Sequence, residues 1–184
     1  GLDADFRKRF NDKGVNAYNG FYDDALVLMK SKELTAFDLA GEPESIRTAY
    51  GNNAFGQGCL LARRLVASGV RFIEVTHGGW DHHKALADEM GEVAPVFDQA
   101  FATLITDLEQ RGMLDSTLVV VATEFGRKPD FDGDGRSHHP VCFSTALAGG
   151  GVKRGFVYGR SDNLGYYVDE NAVSVGVFHA SVAF

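Results

Sequence analysis

Three mainly apolar runs along the chain have the length of buried strands. They are Val70–Val75, Thr117–Ala122 and Val141–Ala148. The most continuous of them, Thr117–Ala122, is typical of a parallel strand covered on both faces of a sheet. A fourth and shorter run, Phe156–Tyr158, has the length of an edge strand. The pattern therefore predicts three buried strands and one edge strand.

Helices are predicted in the segments before, between and after these runs, where apolar residues recur every three or four positions. The predicted helices are Asp23–Lys32, Ser45–Tyr50, Cys59–Ala67, Lys84–Glu92, Phe97–Leu108 and Asn171–Phe184. Pro95 predicts a fresh helical start between the fourth and fifth of these. Residues 51–58 are rich in Gly and Asn, which predicts a loop. Strands separated by helices predict a layered α/β fold.

The length of 184 residues suits one domain or a large piece of one. We expect a single α/β domain over residues 1–184, in which residues 1–36 form a peripheral helical arm. The charged start has no initiator Met, and the apolar segment Val173–Phe184 stops without a capping residue. We therefore expect the chain to be the carboxyl-terminal part of a larger domain.

Composition excludes several classes of protein. The net charge of −7 argues against nucleic acid as a partner, because phosphate binding needs a basic surface. No apolar run is long enough to predict a transmembrane segment. The two cysteines, Cys59 and Cys142, lie in apolar surroundings and are expected to be buried free thiols.

The stretch Glu74–His83 reads E-V-T-H-G-G-W-D-H-H and directly follows the first predicted strand. Open α/β sheets bind ligands at the carboxyl ends of their strands. Two carboxylates, Asp81 and Glu124, and five of the six histidines occupy predicted loops at strand ends; the histidines are His77, His82, His83, His138 and His139. Imidazole and carboxylate groups together predict a divalent metal site, with zinc the best match. The alternative is a hydrogen-bonded loop cluster with Trp80 as a hydrophobic plug.

Two arginines, Arg127 and Arg136, flank these groups. A guanidinium group can donate two hydrogen bonds at once to a phosphate or sulfate group. The alternative for each arginine is a salt bridge to the acidic loop Asp130–Asp134. That loop begins like a calcium-binding EF-hand, but Val141 stands where a bidentate Glu is required. A solvated acidic loop with at most weak calcium binding is expected instead.

Five motifs in a fixed order resemble those of one protein family. They read F-G-Q-G-C-L-L-A-R-R-L from Phe55, V-R-F-I-E-V-T-H-G-G-W-D-H-H from Val70, T-E-F-G-R from Thr123, G-R-S-H-H-P from Gly135 and L-A-G-G-G-V-K-R-G from Leu147. The series resembles an uncharacterised bacterial sulfatase-like family, domain of unknown function 1501, from about Phe37 to the end of the chain. That family is placed in the alkaline phosphatase superfamily. The resemblance implies a three-layer α/β/α sandwich with a mostly parallel sheet, and a periplasmic or secreted location.

The resemblance also implies which residues hold a metal ion. Asp81 and His83 match the family's W-D-x-H motif, Glu124 matches its E-F-G-R acid, and His138 matches the histidine of its G-R-D-H-W-P motif. The ion implied is zinc, with manganese or calcium as alternatives. Arg127 is the residue expected to hold an anionic substrate.

Other residues are given roles beside this ligand set. Arg127 and Arg136 are the expected catalytic residues, and three histidines are expected to orient the ligands: His77, His82 and His139. Phe125 stands where a phosphatase has a histidine for a second metal, which argues against a full two-metal site. Ser137 and His139 replace an Asp and a Trp of the family motif.

The function implied is hydrolysis of a phosphate or sulfate ester of a small molecule or glycan. No segment before Phe37 resembles the one that carries the superfamily's nucleophile and first metal-binding Asp. The missing amino-terminal part of the same protein is therefore an expected partner. The alternative is a carbohydrate- or surface-binding protein that retains the fold without catalysis, because one fold hosts many functions.

Overall fold

Helices make up most of the regular structure in the computed structural model, which describes residues 13–29 and 31–183. The α-helices within these residues are α1 (Lys13–Met29), α2 (Glu44–Tyr50), α3 (Ala54–Ala67), α4 (Leu86–Gln110) and α5 (Val175–Ala183). Short 3-10 helices lie at Lys32–Phe37, Leu39–Gly41 and Leu114–Ser116. None of the helices in this part of the chain is long and apolar enough to cross a membrane. The first 12 residues of the predicted arm lie outside the described residues.

Helices α2, α3 and α4 pack together around one buried cluster. The cluster contains Tyr50 at the end of α2, Cys59 and Leu60 in α3, and Ala100 in α4. Burying a side chain such as that of Leu60 stabilises the fold by about 1.5–3 kcal/mol. Gly56 allows the close crossing of α2 and α3, because a Cβ there would lie 2.1 Å from the Tyr50 carbonyl oxygen.

The two cysteines have different surroundings. Cys59 is buried and Cys142 is half-buried, and both are free thiols. Burial raises the pKa of the Cys59 thiol to about 11. The prediction of free thiols is confirmed, but full burial holds only for Cys59.

The predicted loop at residues 51–58 is wrong in its second half, since α3 begins at Ala54. The side chain of Asn53 caps this helix, and its Oδ1 accepts a hydrogen bond of 2.9 Å from the Gly56 N–H. Asparagine is a favoured N-cap residue, so the Asn that suggested a loop marks a helix start instead.

Helix α4 runs without a break through Pro95, so the predicted separation into two helices is also wrong. A proline inside a helix removes one backbone hydrogen bond and costs about 3 kcal/mol. The apolar face of α4 packs against α2 and α3, with Ala100 fully buried and Leu104 against the same cluster. We attribute the continuity of α4 to this packing, which offsets the local cost of the proline.

Six short strands form three antiparallel pairs in the part of the chain that the structure describes. They are β1 (Leu118–Val121), β2 (Gly126–Arg127), β3 (His138–His139), β4 (Ala146–Gly149), β5 (Arg160–Ser161) and β6 (Val168–Glu170). β1 pairs with β4, β2 with β3, and β5 with β6. In the longest pair, Leu118 lies opposite Gly149 and Val121 opposite Ala146.

The predicted three-layer α/β/α sandwich with a mostly parallel sheet is therefore wrong. Parallel neighbours need a crossover connection, which is usually a helix. The chain between β1 and β4 contains only turns and the β2–β3 pair, so β4 returns antiparallel to β1. Of the predicted strand Val141–Ala148, only its last three residues belong to β4.

Two predicted strands are absent from the described residues. The segment Val70–Val75 lies in no strand, although Val75 packs against the helical core. Phe72 in its middle is 81% exposed. The run Phe156–Tyr158 is also exposed and unpaired as a strand. An apolar run becomes a strand only where a second strand lies beside it, and the sequence pattern does not supply that information.

A buried ionic network ties α3 to its neighbours. The guanidinium group of Arg63 lies 2.9 Å from Glu42 and 2.9 Å from Asp107 in α4. The Tyr50 hydroxyl donates a hydrogen bond of 2.9 Å to Asp107. Arg64 reaches Glu42 from the other side at 2.5 Å. Each buried carboxylate therefore has a cationic partner, as burial of charge requires.

Candidate metal centre

Three predicted ligands, Asp81, His83 and His138, come together at one point on the surface. The Nε2 atom of His138 lies 2.9 Å from Oδ1 of Asp81, and Nε2 of His83 lies 3.1 Å from the same oxygen. The two imidazole Nε2 atoms are 3.1 Å apart. Residues 55 positions apart in the chain thus present their ligand atoms as a nearly equilateral triangle.

The size of this triangle matches a zinc ion. Atoms that bind zinc at about 2.0–2.1 Å in tetrahedral geometry lie roughly 3.3 Å from one another. The three observed edges are 2.9, 3.1 and 3.1 Å, slightly inside that value. Two imidazole nitrogens this close must share either a proton or a cation between them. The donor set of two imidazoles and one carboxylate fits a divalent ion of the zinc type.

The triangle is open to solvent on one side. The side chains of Asp81, His83 and His138 are 66%, 47% and 46% exposed. Zinc sites that only stabilise a fold are closed by four protein ligands, whereas catalytic sites have three and keep a position free. This cluster therefore has the accessibility of a site that binds a further ligand.

The β2–β3 pair positions one side of the site. Arg127 of β2 lies directly opposite His138 of β3, and the Lys128 N–H donates to the Ser137 carbonyl at 3.0 Å. The ring of Phe125 packs against the His138 imidazole, with centroids 4.4 Å apart. Strand pairing and this ring contact together fix the direction of His138.

Backbone contacts join the His138 loop to the loop that carries Asp81 and His83. The Arg136 N–H donates to the His82 carbonyl at 3.0 Å, and the Leu86 N–H donates to the Asp134 carbonyl at 3.0 Å. Gly135 lies between these contacts. A Cβ on Gly135 would lie 2.1 Å from the carbonyl carbon of His83. The approach of the two loops that builds the triangle therefore depends on glycine at this position.

We expect Gly135→Ala to weaken zinc binding and to lower the free energy of unfolding by about 1–3 kcal/mol, because the added methyl group forces the loops apart. Zinc titration and urea unfolding measure the two effects. Gly78→Ala is the matched control, since a Cβ there meets nothing within 4 Å. Equal behaviour of the two variants would show that the loops adjust without disturbing the triangle.

Arg127 also contacts the triangle. Its Nη2 group donates to Oδ1 of Asp81, and its Nη1 group donates to the Arg136 carbonyl at 2.9 Å. The hydrogen bond from Arg127, followed by that from His138, lowers the pKa of Asp81 to about 2. Both contacts thus favour the ionised form of the carboxylate.

Glu124 and Arg136 do not join the cluster. Glu124, the predicted fourth ligand, is exposed in the loop after β1, and the metal-ligand cluster among the described residues does not include it. The guanidinium carbon of Arg136 lies 4.8 Å from the centre of the Phe131 ring. Only the backbone of Arg136 meets the site, where its carbonyl accepts from Arg127.

The three histidines predicted to orient the ligands bond elsewhere. His82 is buried and its Nδ1 lies 2.7 Å from a carboxylate oxygen of Glu89. His139 is buried and its Nε2 lies 2.7 Å from the carbonyl oxygen of Tyr166. His77 accepts a hydrogen bond of 3.2 Å from Trp80. In each H-H pair the other histidine thus faces the site, and the buried one anchors its loop.

Side chains of the acidic loop Asp130–Asp134 accept hydrogen bonds from other residues of the protein. The Tyr166 hydroxyl donates to Asp130, and the Ser137 hydroxyl donates to Asp132 at 2.8 Å. Asp132 and Gly135 form a backbone bridge across the turn. These contacts close the loop as a tight turn, so it acts as a support for residues 135–139.

Sequence reasoning missed Gly135 and Glu89 as residues that hold the site loops. The D-G-D-G run at 132–135 contained the signal for Gly135, since a glycine beside a ligand-bearing segment often marks a close backbone approach. Glu89 lies seven residues after His82, in the first turn of α4. The loop between them follows no regular period, so the sequence does not show that the two side chains meet.

The chain belongs to a family described as proteins of unknown function (DUF1501), whose model matches residues 1–183. The resemblance to that family is therefore confirmed over nearly the whole chain. No match was found among curated proteins or among solved structures.

Proposed function

We propose that this protein is a metal-dependent hydrolase of phosphate or sulfate esters. The observation that carries the proposal is the triangle of Asp81, His83 and His138, which is open to solvent and has the dimensions of a zinc site. A divalent ion held by these three residues would polarise an ester oxygen and stabilise developing negative charge. Zinc is the ion proposed, with manganese or calcium as alternatives.

The surrounding residues support binding of an anionic group. Arg127 is about a quarter exposed and lies on the triangle, where its planar guanidinium group suits the oxygens of phosphate or sulfate. Arg136 holds Arg127 through its carbonyl group. Phe125 packs on His138 and occupies the position at which a phosphatase has a histidine ligand for a second metal. Phenylalanine cannot bind a metal ion there, which favours a single ion.

Three further proposals follow from the motif resemblance. They are a sulfatase-like activity related to the alkaline phosphatase superfamily, a periplasmic or secreted location, and an amino-terminal part of the same protein as partner. Val70 and Phe72 are exposed in the segment Val70–Val75, which has no strand beside it among the described residues, and this supports a partner surface. The antiparallel pairs of the described fold give no support to the superfamily link, so the hydrolase proposal depends on the side-chain cluster.

Cobalt substitution tests the site and enzyme assays test the activity. We expect Co²⁺ to give the visible absorption of a tetrahedral complex, and zinc to displace it. The loaded chain would then be assayed with aryl phosphates and aryl sulfates, alongside a His83→Ala/His138→Ala variant. Metal-dependent turnover absent from that variant would support the hydrolase. Metal binding with glycan binding and no turnover, also after the proposed amino-terminal part has been supplied, would favour the alternative of a non-catalytic carbohydrate-binding protein.

A further inference from the structure

One carboxylate oxygen at the candidate metal centre has three nitrogen neighbours. Oδ1 of Asp81 accepts from Nη2 of Arg127 and lies 2.9 Å from Nε2 of His138 and 3.1 Å from Nε2 of His83. A carboxylate oxygen has about two lone pairs. A metal ion bound to this oxygen would therefore compete with the contacts that Oδ1 already makes.

Arg127 is the neighbour that a metal ion would displace. The two imidazoles are themselves ligands and remain beside the ion, whereas the guanidinium group has no lone pair to offer and carries a positive charge. A cation at the triangle would repel this positively charged group and compete with it for Oδ1 of Asp81. Arg127 stays close because its Nη1 bonds to the Arg136 carbonyl and its strand pairs with that of His138.

We propose that Nη2 of Arg127 donates to Asp81 in the metal-free protein and that it donates to a tetrahedral oxyanion instead once a divalent ion has bound. This inference rests on the proposed function and adds an order of assembly to it. The same guanidinium group thereby competes with the metal ion and attracts the anion. Phosphate and sulfate esters share the group that Arg127 would bind, which is a tetrahedral centre with charged oxygens.

Two opposite effects on zinc binding follow. Without an anion, Arg127 weakens zinc binding, because its positive charge repels the ion and competes with it for Asp81. With an anion, Arg127 strengthens zinc binding, because the anion bridges the two cations. Linkage requires that an anion which tightens zinc binding is itself bound more tightly when zinc is present.

Isothermal titration of the 184-residue chain with zinc, with and without inorganic sulfate or phosphate, tests this pair of effects. We expect Arg127→Gln to bind zinc alone roughly fivefold more tightly than the wild-type chain, the size of one exposed ion pair. We expect the anion to tighten zinc binding roughly tenfold in the wild-type chain and not in Arg127→Gln.

Arg154→Gln is the matched control, because it removes one positive charge from an exposed pair with Glu109. It should behave as the wild-type chain does in both titrations. Weaker or unchanged zinc binding in Arg127→Gln would overturn the inference, as would equal tightening by the anion in both proteins. If the wild-type chain bound zinc no better than His83→Ala/His138→Ala, the proposed metal site itself would be disproved, and the inference would fail with it.

Discussion

Replacing His138 by alanine is expected to weaken zinc binding by at least about a hundredfold, beyond the roughly 10–100-fold effect of residues that only orient a ligand. His138 supplies one of three ligand atoms, and its Nε2 lies 2.9 Å from Asp81 and 3.1 Å from His83. The remaining pair can bind zinc only through two protein atoms. Titration against a zinc indicator measures the loss directly.

His179→Ala is the matched control for this experiment. His179 is exposed on α5 and belongs to no metal-ligand cluster of the described residues. Its replacement should leave zinc binding unchanged. If His138→Ala and His179→Ala bound zinc equally well, the triangle would be a hydrogen-bonded cluster, the alternative that the sequence also allowed.

The second large effect is expected on stability. Arg63→Ala should lower the free energy of unfolding by about 1.5–3 kcal/mol, because it removes the cation that two carboxylates share. Glu42 keeps Arg64, and Asp107 keeps Arg111. Arg63 is 4% exposed and lies 2.9 Å from both Glu42 and Asp107.

Arg154→Ala should change stability by only about 0–1 kcal/mol, since its pair with Glu109 is exposed. Urea unfolding measures the loss of stability in both variants. Similar small losses would mean that water hydrates the carboxylates in place of the Arg63 side chain.

The same network predicts a dependence on pH. Burial acts to raise the pKa of Glu42, but hydrogen bonds from Arg63 and Arg64 outweigh it and lower the pKa. A carboxyl group whose pKa is lowered by folding stabilises the protein above its ordinary pKa of about 4.3, and this contribution is lost as the pH falls. Stability below about pH 5 should therefore fall more steeply in the wild-type chain than in Arg63→Ala. Parallel pH profiles for the two proteins would contradict this assignment.

Helices were predictable from the sequence because their signals are local. The spacing of apolar residues located α2 and most of α3, and a proline or glycine shifted only their boundaries. Strand pairing was not predictable in the same way. Nothing within Val70–Val75 specifies whether another strand lies beside it, and the direction of β4 depends on the whole connection from β1.

The candidate site shows a similar division. The motifs W-D-H-H and S-H-H-P identified Asp81, His83 and His138 from residue type and resemblance. Glu124 was expected to join them because it follows a strand, but in an antiparallel pair the strand ends do not meet at a common edge. The contact of Arg127 with Asp81 depends on the pairing of β2 with β3. Strands of two residues are too short to leave a recognisable pattern in the sequence, so this pairing was not predictable.

The unequal burial of the two cysteines makes the chain suited to fluorescence labelling. The thiolate is the form of cysteine that attacks alkylating reagents, and the raised pKa keeps the Cys59 thiol protonated at neutral pH. A maleimide dye should therefore attach selectively to Cys142, whose carbonyl oxygen lies 2.7 Å from the position of a Cβ on Gly126. The dye would thus be attached next to the strand that carries Arg127. Its emission would offer an optical record of whether that strand shifts as ions are added.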